Sequence, residues 1–169
     1  MEDIWNITAL VVSVLSVLLS LYALRQATTK NTSDMYLFFI SQYAKEDMKL
    51  ALRKLKDIKR GVYRLEQWES DMKNNLPKAF EYDEARRLVK YFYDTLAYMK
   101  LEKLIEARFV RLICLKKGAW LYLDTVEAME KFFDSGYDKK PYAVIRDVCE
   151  NLRKEGCCCL LYTSDAADE

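Results

Sequence analysis

The sequence predicts an all-α protein: an N-terminal transmembrane helix followed by a cytoplasmic bundle of about five or six helices. Three observations predict it. Only 4 Gly and 2 Pro occur in 169 residues, while 51% of the residues are hydrophobic, which argues for helices with short connections. Apolar residues recur at three- and four-residue steps along most of the chain. The eighteen residues from Ile7 to Leu24 carry no charge.

At the helical rise that apolar run spans about 27 Å, close to the hydrocarbon thickness of a bilayer. Trp5 and Tyr22 stand near its ends, where amphipathic rings favour the interface. A secretory signal would carry positive charge before its apolar run. Here Glu2 and Asp3 precede it, and Arg25 and Lys30 follow. The positive-inside rule then sets the N-terminus outside and the remainder in the cytoplasm. A cleaved signal or a buried soluble helix are the competing readings. Along the run and just past it, Ala9, Ser13, Ser16, Ser20, Ala23 and Ala27 repeat at alternating steps of four and three. Small residues let membrane helices approach closely, so Ala9, Ser13, Ser16, Ser20 and Ala23 are the candidate contact face for self-association or a membrane partner. Chance is the bland alternative, since Ser and Ala are common in such helices.

Thr28–Ser33 is a polar junction, and Ser33 or Asp34 is the expected N-cap of a helix over Asp34–Arg60. Its stripe would be Leu37, Ile40, Ala44, Met48, Ala51, Leu55 and Ile58, with Gly61 as its stop. The same segment carries a basic surface: Lys45, Lys49, Arg53, Lys54, Lys56, Lys59 and Arg60, with Arg64 just beyond. These eight cations stand against Glu46, Asp47 and Asp57, a local balance of +5. Near a bilayer such a face would attract anionic lipid. A solvated face opposite a core stripe is the simpler reading. Nucleic-acid binding is not expected, because no recognition motif accompanies the charge.

A short helix is expected over Tyr63–Met72, with Leu65, Trp68 and Met72 inward, ended by the breaker Asn74-Asn75-Leu76-Pro77. A long helix over Tyr82–Lys100 would bury Ala85, Leu88, Val89, Phe92, Leu96 and Met99. A turn is expected near Glu102–Leu104. The next helix would hold Phe109, Leu112 and Ile113 and end at Gly118. Another, over Ala119–Phe133, would bury Trp120, Leu123, Val126, Met129 and Phe133. Ser135–Asp138 reads as a loop. Pro141 fits the first turn of a last helix with Val144, Val148 and Leu152 inward.

Chemistry is sparse. There is no His, which removes the commonest general base and metal ligand. No nucleotide-binding glycine motif and no paired CxxC occurs, so no catalytic residue, metal site or cofactor is assigned. The carboxylates Glu46/Asp47, Glu81/Asp83/Glu84 and Glu102/Glu106 read as exposed helix charges and caps, the last pair sharing a face if helical. Cys114 and Cys149 read as ordinary buried thiols in a reducing compartment. Tyr82, Tyr91, Tyr93 and Tyr98 line one helix with Phe92. Rings at such mixed angles serve either a core or an aromatic interaction surface.

Residues 159–169 look like a translated transposase-based sequencing adapter: ten successive codons match Cys159–Asp168, and the next two bases fit Glu169. Such a scar is set aside from fold reasoning. The expected organisation is therefore a transmembrane anchor and juxtamembrane stretch over 1–30, a helical cytoplasmic domain over 31–158 and an artefact over 159–169. Without the last segment, residues 25–158 hold 27 cations and 21 carboxylates, a charge of +6.

The stretches MYLFFISQYAKEDMKLALRKLKDI (Met35–Ile58) and EARRLVKYFYDTLAYMKLEKLIEARFV (Glu84–Val110) behind an N-terminal anchor resemble an uncharacterised bacterial family of small single-pass membrane proteins. The resemblance rests on pattern: Tyr36 and Phe39 before the Met48–Leu55 helix, the aromatic-rich helix around Phe92, and a turn near Leu104. It implies a helical cytoplasmic domain and a bacterial or phage source, and carries no functional residues. Together these readings give a membrane-anchored interaction or scaffolding protein of the inner membrane, with the bilayer, anionic lipid, a second copy of the chain and a protein partner as expected contacts. The alternative is a small oligomerising membrane effector of defence or toxin type. An enzyme is the third class, disfavoured by the missing His and motifs.

Overall fold

The computed structural model describes residues 2–133 and 137–156; among these, the side chains of residues 2–12, 14, 25 and 27–32 are left undescribed. Ala9 and Ala27 of the small-residue face, Ser135 and Gly136 of the loop, and the adapter-like tail therefore fall outside what is described.

Every element among the described residues is helical: α1 (Glu2–Ala44), α2 (Glu46–Lys59), α3 (Leu65–Lys73), α4 (Pro77–Leu101), α5 (Ala107–Cys114), α6 (Lys117–Leu121), a π-helical turn (Tyr122–Val126), α7 (Glu127–Phe133) and α8 (Lys139–Lys154). The all-α expectation holds, with α1 and α4 longer than the periodicity indicated and the stretches Asp34–Arg60 and Ala119–Phe133 divided among more elements. The chain divides into two compact units between Phe38 and Phe39. Among the described residues no helix is long and apolar enough to cross a membrane. The run Ile7–Leu24 lies only partly within them, because the side chains of 7–12 and 14 do not.

The first correction concerns the start of the second helix. No helix begins at Ser33 or Asp34; α1 runs unbroken through the Thr28–Ser33 junction. That stretch contains polar residues but no Gly or Pro, and polar side chains alone do not end a helix. The break falls at Lys45, whose backbone is extended (φ −60°, ψ 147°), and Glu46 and Asp47 occupy the first turn of α2. Carboxylates there complement the positive end of the helix dipole. The expected stripe is split accordingly. Met48, Ala51, Leu55 and Ile58 are buried, whereas Leu37 and Ala44 are exposed and Phe39 is buried instead.

Three connections share one device. At the end of α2, Gly61 takes φ 75°; its N–H donates to the Ile58 carbonyl, and the Val62 N–H to that of Asp57. At the end of α3, Asn75 takes φ 54°; its N–H donates to Met72, and that of Leu76 to Asp71. At the end of α4, Lys103 takes φ 56°; its N–H donates to Lys100, and that of Leu104 to Met99. Each is a Schellman motif, which satisfies carbonyls left over at a helix end. Gly61 and the Asn74–Pro77 breaker thus act as expected, and Pro77 opens α4 at a position that needs no N–H.

The core lies around α4, which packs against α2, α3, α5, α8 and the π turn. Trp68 of α3 is fully buried; its Nε1–H donates to the Ala79 carbonyl at 3.2 Å. The Phe132 and Phe133 rings sit edge-on to it at 5.4 and 5.8 Å. On α4, Ala85, Val89, Phe92 and Leu96 are buried as expected, while Leu88 is exposed and Met99 half-buried. Gly118 does not end a helix: α5 stops at Cys114, and Gly118 is buried inside α6. On α8 the buried positions are Pro141, Tyr142, Ile145, Val148, Cys149 and Leu152. Asp138 caps that helix by accepting the Lys140 N–H at 2.9 Å.

Candidate functional site

Three regions are candidates for a functional role: the small-residue face of α1, the basic surface of α2, and a buried polar and aromatic cluster centred on α4.

On α1, Ser13, Ser16, Ser20 and Ala23 are exposed. The Ser20 hydroxyl donates to the Ser16 carbonyl at 2.8 Å, one turn back. That satisfies the hydroxyl without a partner helix and leaves the small face smooth. Large apolar side chains surround it: Leu15, Val17, Leu18, Leu19, Leu21 and Leu24 are each more than half exposed.

On α2, the basic residues do not form one uncompensated face. Lys49 and Arg53 reach Glu46 at 3.3 and 3.8 Å. Lys54 pairs with Glu81 at 2.9 Å and Lys59 with Asp124 at 2.6 Å. Lys45 and Arg60, at the two ends, are exposed, and Lys56 is half-buried. Exposed pairs of this kind contribute little to stability. Their consequence here is electrostatic: four of the seven expected cations already face a carboxylate.

The third region was not legible as a site. Asp83 and Arg86 sit one turn apart on α4 and are both buried. Arg86 donates to Asp83 from Nε at 2.8 Å, and its Nη1 is ion-paired with Glu130 of α7. Arg87 reaches the other Asp83 oxygen at 2.7 Å. Lys90 spans Asp94 at 2.6 Å and Glu130 at 3.8 Å. The guanidinium of Arg86 lies 4.7 Å from the Phe133 ring centroid, a cation–π contact. Around Glu127, Arg146 and the Tyr137 hydroxyl donate to the carboxylate.

A ladder of rings borders this network. Tyr122 stacks on Tyr142 at 4.5 Å and on Tyr93 at 5.1 Å. The Tyr122 hydroxyl donates to Asp94 at 2.5 Å. Burial and that carboxylate push the Tyr122 phenol well above its ordinary range. Burial and Glu127 raise Tyr137 to about 12. The hydroxyls of Tyr93 and Tyr142 are buried with no hydrogen-bond partner among the described residues. Of the four tyrosines expected on α4, Tyr82 and Tyr93 are therefore core, Tyr91 is exposed, and Tyr98 is exposed with its hydroxyl on Asp138.

The buried charges of this cluster are all ion-paired, while the Tyr93 and Tyr142 hydroxyls and Glu130 Oε1 lack a hydrogen-bond partner among the described residues. Asp83 is more buried than Glu81 or Glu84, the asymmetry that acid–base pairs need, but two guanidiniums hold it. Glu102 and Glu106 do not share a helix face, because the Lys103 turn separates them. Cys114 and Cys149 are free thiols and buried; the hydrogen bond between them and burial raise the Cys114 thiol, while the same hydrogen bond lowers Cys149. Among the described residues no group of three or more Cys, Asp and Glu is placed to hold a metal ion. Comparison of the chain with family models, curated proteins and solved structures gave no match.

Proposed function

We propose that the chain is a membrane-anchored interaction or scaffolding protein, held by residues 1–30 with the N-terminus outside and the helical domain in the cytoplasm. The observation that carries this reading is the surface of α1. Leu15, Val17, Leu18, Leu19, Leu21 and Leu24 cover the helix on every side but the small-residue face, each more than half exposed. Leaving such a side chain in water forgoes about 1.5–3 kcal/mol of burial. A helix apolar on all sides belongs inside a protein or a bilayer. The charges at its two ends favour the orientation given. The face Ala9, Ser13, Ser16, Ser20 and Ala23 would bring two copies of the helix together. In the domain from Phe39 onward the buried carboxylates Asp83, Glu127 and Glu130 are ion-paired, and Lys45 and Arg60 are exposed where a partner could meet them.

The test is fractionation of residues 1–158 beside residues 31–158, with an alkaline carbonate wash. Retention of the longer chain alone in the membrane pellet is the expected result. Release of both would remove the anchor, the orientation and the association face together.

A further inference from the structure

The turns α2–α3 and α3–α4 lie side by side. Tyr63 joins them: its hydroxyl donates to Asp71 at 2.7 Å, its ring meets Tyr82 at 4.6 Å, and Lys78 Nζ lies 4.3 Å above it. Each turn exposes an aliphatic side chain at its tip, Val62 at 73% and Leu76 at 44%, and Phe80 at 43% follows one helical turn later. A Schellman motif usually covers this tip residue with an apolar side chain three or four positions inside the helix end. At those places Val62 has only Asp57 and Lys56, and Leu76 only Asp71 and Ser70. The turn geometry therefore gives Val62 and Leu76 no such cover.

The two turn segments themselves carry charge of one sign. Residues 60–64 and 73–80 contain Arg60, Arg64, Lys73 and Lys78 and no carboxylate, and all four cations are exposed. Glu66, Glu69 and Asp71 lie on α3 between the turns, where Asp71 is engaged by Tyr63, and Glu81 beside Phe80 is paired with Lys54. This differs from the α2 surface, where carboxylates answer most of the cations.

We propose that the two turns form one docking tip for an anionic phospholipid surface. Val62, Leu76 and Phe80 enter the apolar edge of the headgroup layer, and Arg60, Arg64, Lys73 and Lys78 meet the phosphates. Exposed aliphatics at the tips favour lipid over nucleic acid, which would offer them no apolar phase. The inference deepens the anchor reading and rests on it only for bringing the tip near a bilayer.

The test uses the full chain with Cys157, Cys158 and Cys159 changed to Ser and Val62→Cys carrying an environment-sensitive fluorophore. It is reconstituted in phosphatidylcholine vesicles with and without phosphatidylglycerol. A blue shift with phosphatidylglycerol, reversed by high salt, is expected. Each of Arg60→Glu, Arg64→Glu and Lys78→Glu should weaken the response about fivefold or more, with the helical circular dichroism unchanged. Identical emission in both lipids overturns the tip, as does an equal response to added single-stranded RNA in phosphatidylcholine alone. Flotation of the same samples separates the two readings. A chain that floats with phosphatidylcholine but shows no shift keeps its anchor and loses the tip; one that floats and shifts only with phosphatidylglycerol keeps the tip and loses the anchor.

Discussion

Arg86 of α4 and Glu130 of α7 form an ion pair in which both side chains are more than nine-tenths buried. Arg86 also neutralises Asp83, itself 2% exposed. One guanidinium thus answers two buried carboxylates; without it Asp83 keeps only the exposed Arg87 and Glu130 only Lys90 at 3.8 Å. Arg86→Met is expected to destabilise the domain by about 3–5 kcal/mol. Glu130→Gln should cost less, because Asp83 still holds the guanidinium. Urea denaturation of the two variants checks the order; equal losses would mean that Asp83 contributes nothing to holding Arg86.

Gly118 is buried for a steric reason. A Cβ there would lie 2.8 Å from the Tyr93 hydroxyl, 3.0 Å from that of Tyr43 and 3.1 Å from Leu52 Cδ2. The Gly118 N–H donates to the Tyr43 oxygen at 3.2 Å. Gly118→Ala is expected to destabilise by about 1–3 kcal/mol, the range for overpacking. Tyr93→Phe alone should be neutral or stabilising, since the hydroxyl it removes is buried without a partner. In the double variant part of the alanine cost should return. Strict additivity in a thermal-melt cycle would place the clash elsewhere.

Alkaline pH acts on the ring ladder. Tyr122 and Tyr142 are raised mainly by burial, and Tyr122 also by Asp94. A phenol with a raised folded-state pKa stabilises fully below its unfolded value of about 10, and loses that contribution as pH rises toward the folded value. Stability should therefore fall from about pH 10 upward, while acid titration leaves these groups unchanged. Tyr122→Phe should flatten the alkaline slope of the urea midpoint, at the cost of the Asp94 bond. An unchanged slope would exclude Tyr122 from the alkaline transition.

What the sequence made legible was local. Gly61, the Asn74–Pro77 breaker and Pro141 act through their own backbone, so their roles are visible residue by residue. The α2 core stripe is legible for the same reason, being a periodicity within one helix. The break at Lys45 was missed because its signal, two carboxylates in a first turn, is weaker than the apolar repeat running across it. Gly118 was misplaced because its reason is three side chains distant in sequence. The buried cluster was missed for the same cause: Asp83 and Arg86 look like surface helix charges until α7 brings Glu130 to them. The π turn inserts an offset into the α6–α7 stretch that no three-and-four pattern encodes.

Lys103 is a lysine in a left-handed conformation, φ 56°, where a Cβ is strained. Gly61 fills the same role in the α2 turn without that strain. Lys103→Gly should therefore stabilise the domain by about 0.5–1 kcal/mol, less than the full left-handed penalty because glycine gains freedom in the unfolded chain. Lys103→Ala, which keeps the Cβ, should leave stability close to that of the parent. A glycine variant no more stable than the alanine one would show that the turn relaxes around the side chain.

The association face of α1 is tested by size at one position. Ser16 is exposed at the centre of the small-residue repeat, so a bulky side chain there holds two helices apart by several ångströms. Tight packing of small residues supplies the attraction between helices in lipid, where no hydrophobic effect favours contact. Ser16→Leu is expected to abolish association in a membrane two-hybrid or cross-linking assay. Ser16→Ala should preserve it, because the change keeps the surface small and the Ser20 hydroxyl still bonds the residue-16 carbonyl. Loss in both variants would shift the contact from packing to the Ser16 hydroxyl; association retained by Ser16→Leu would move it to another face of the helix.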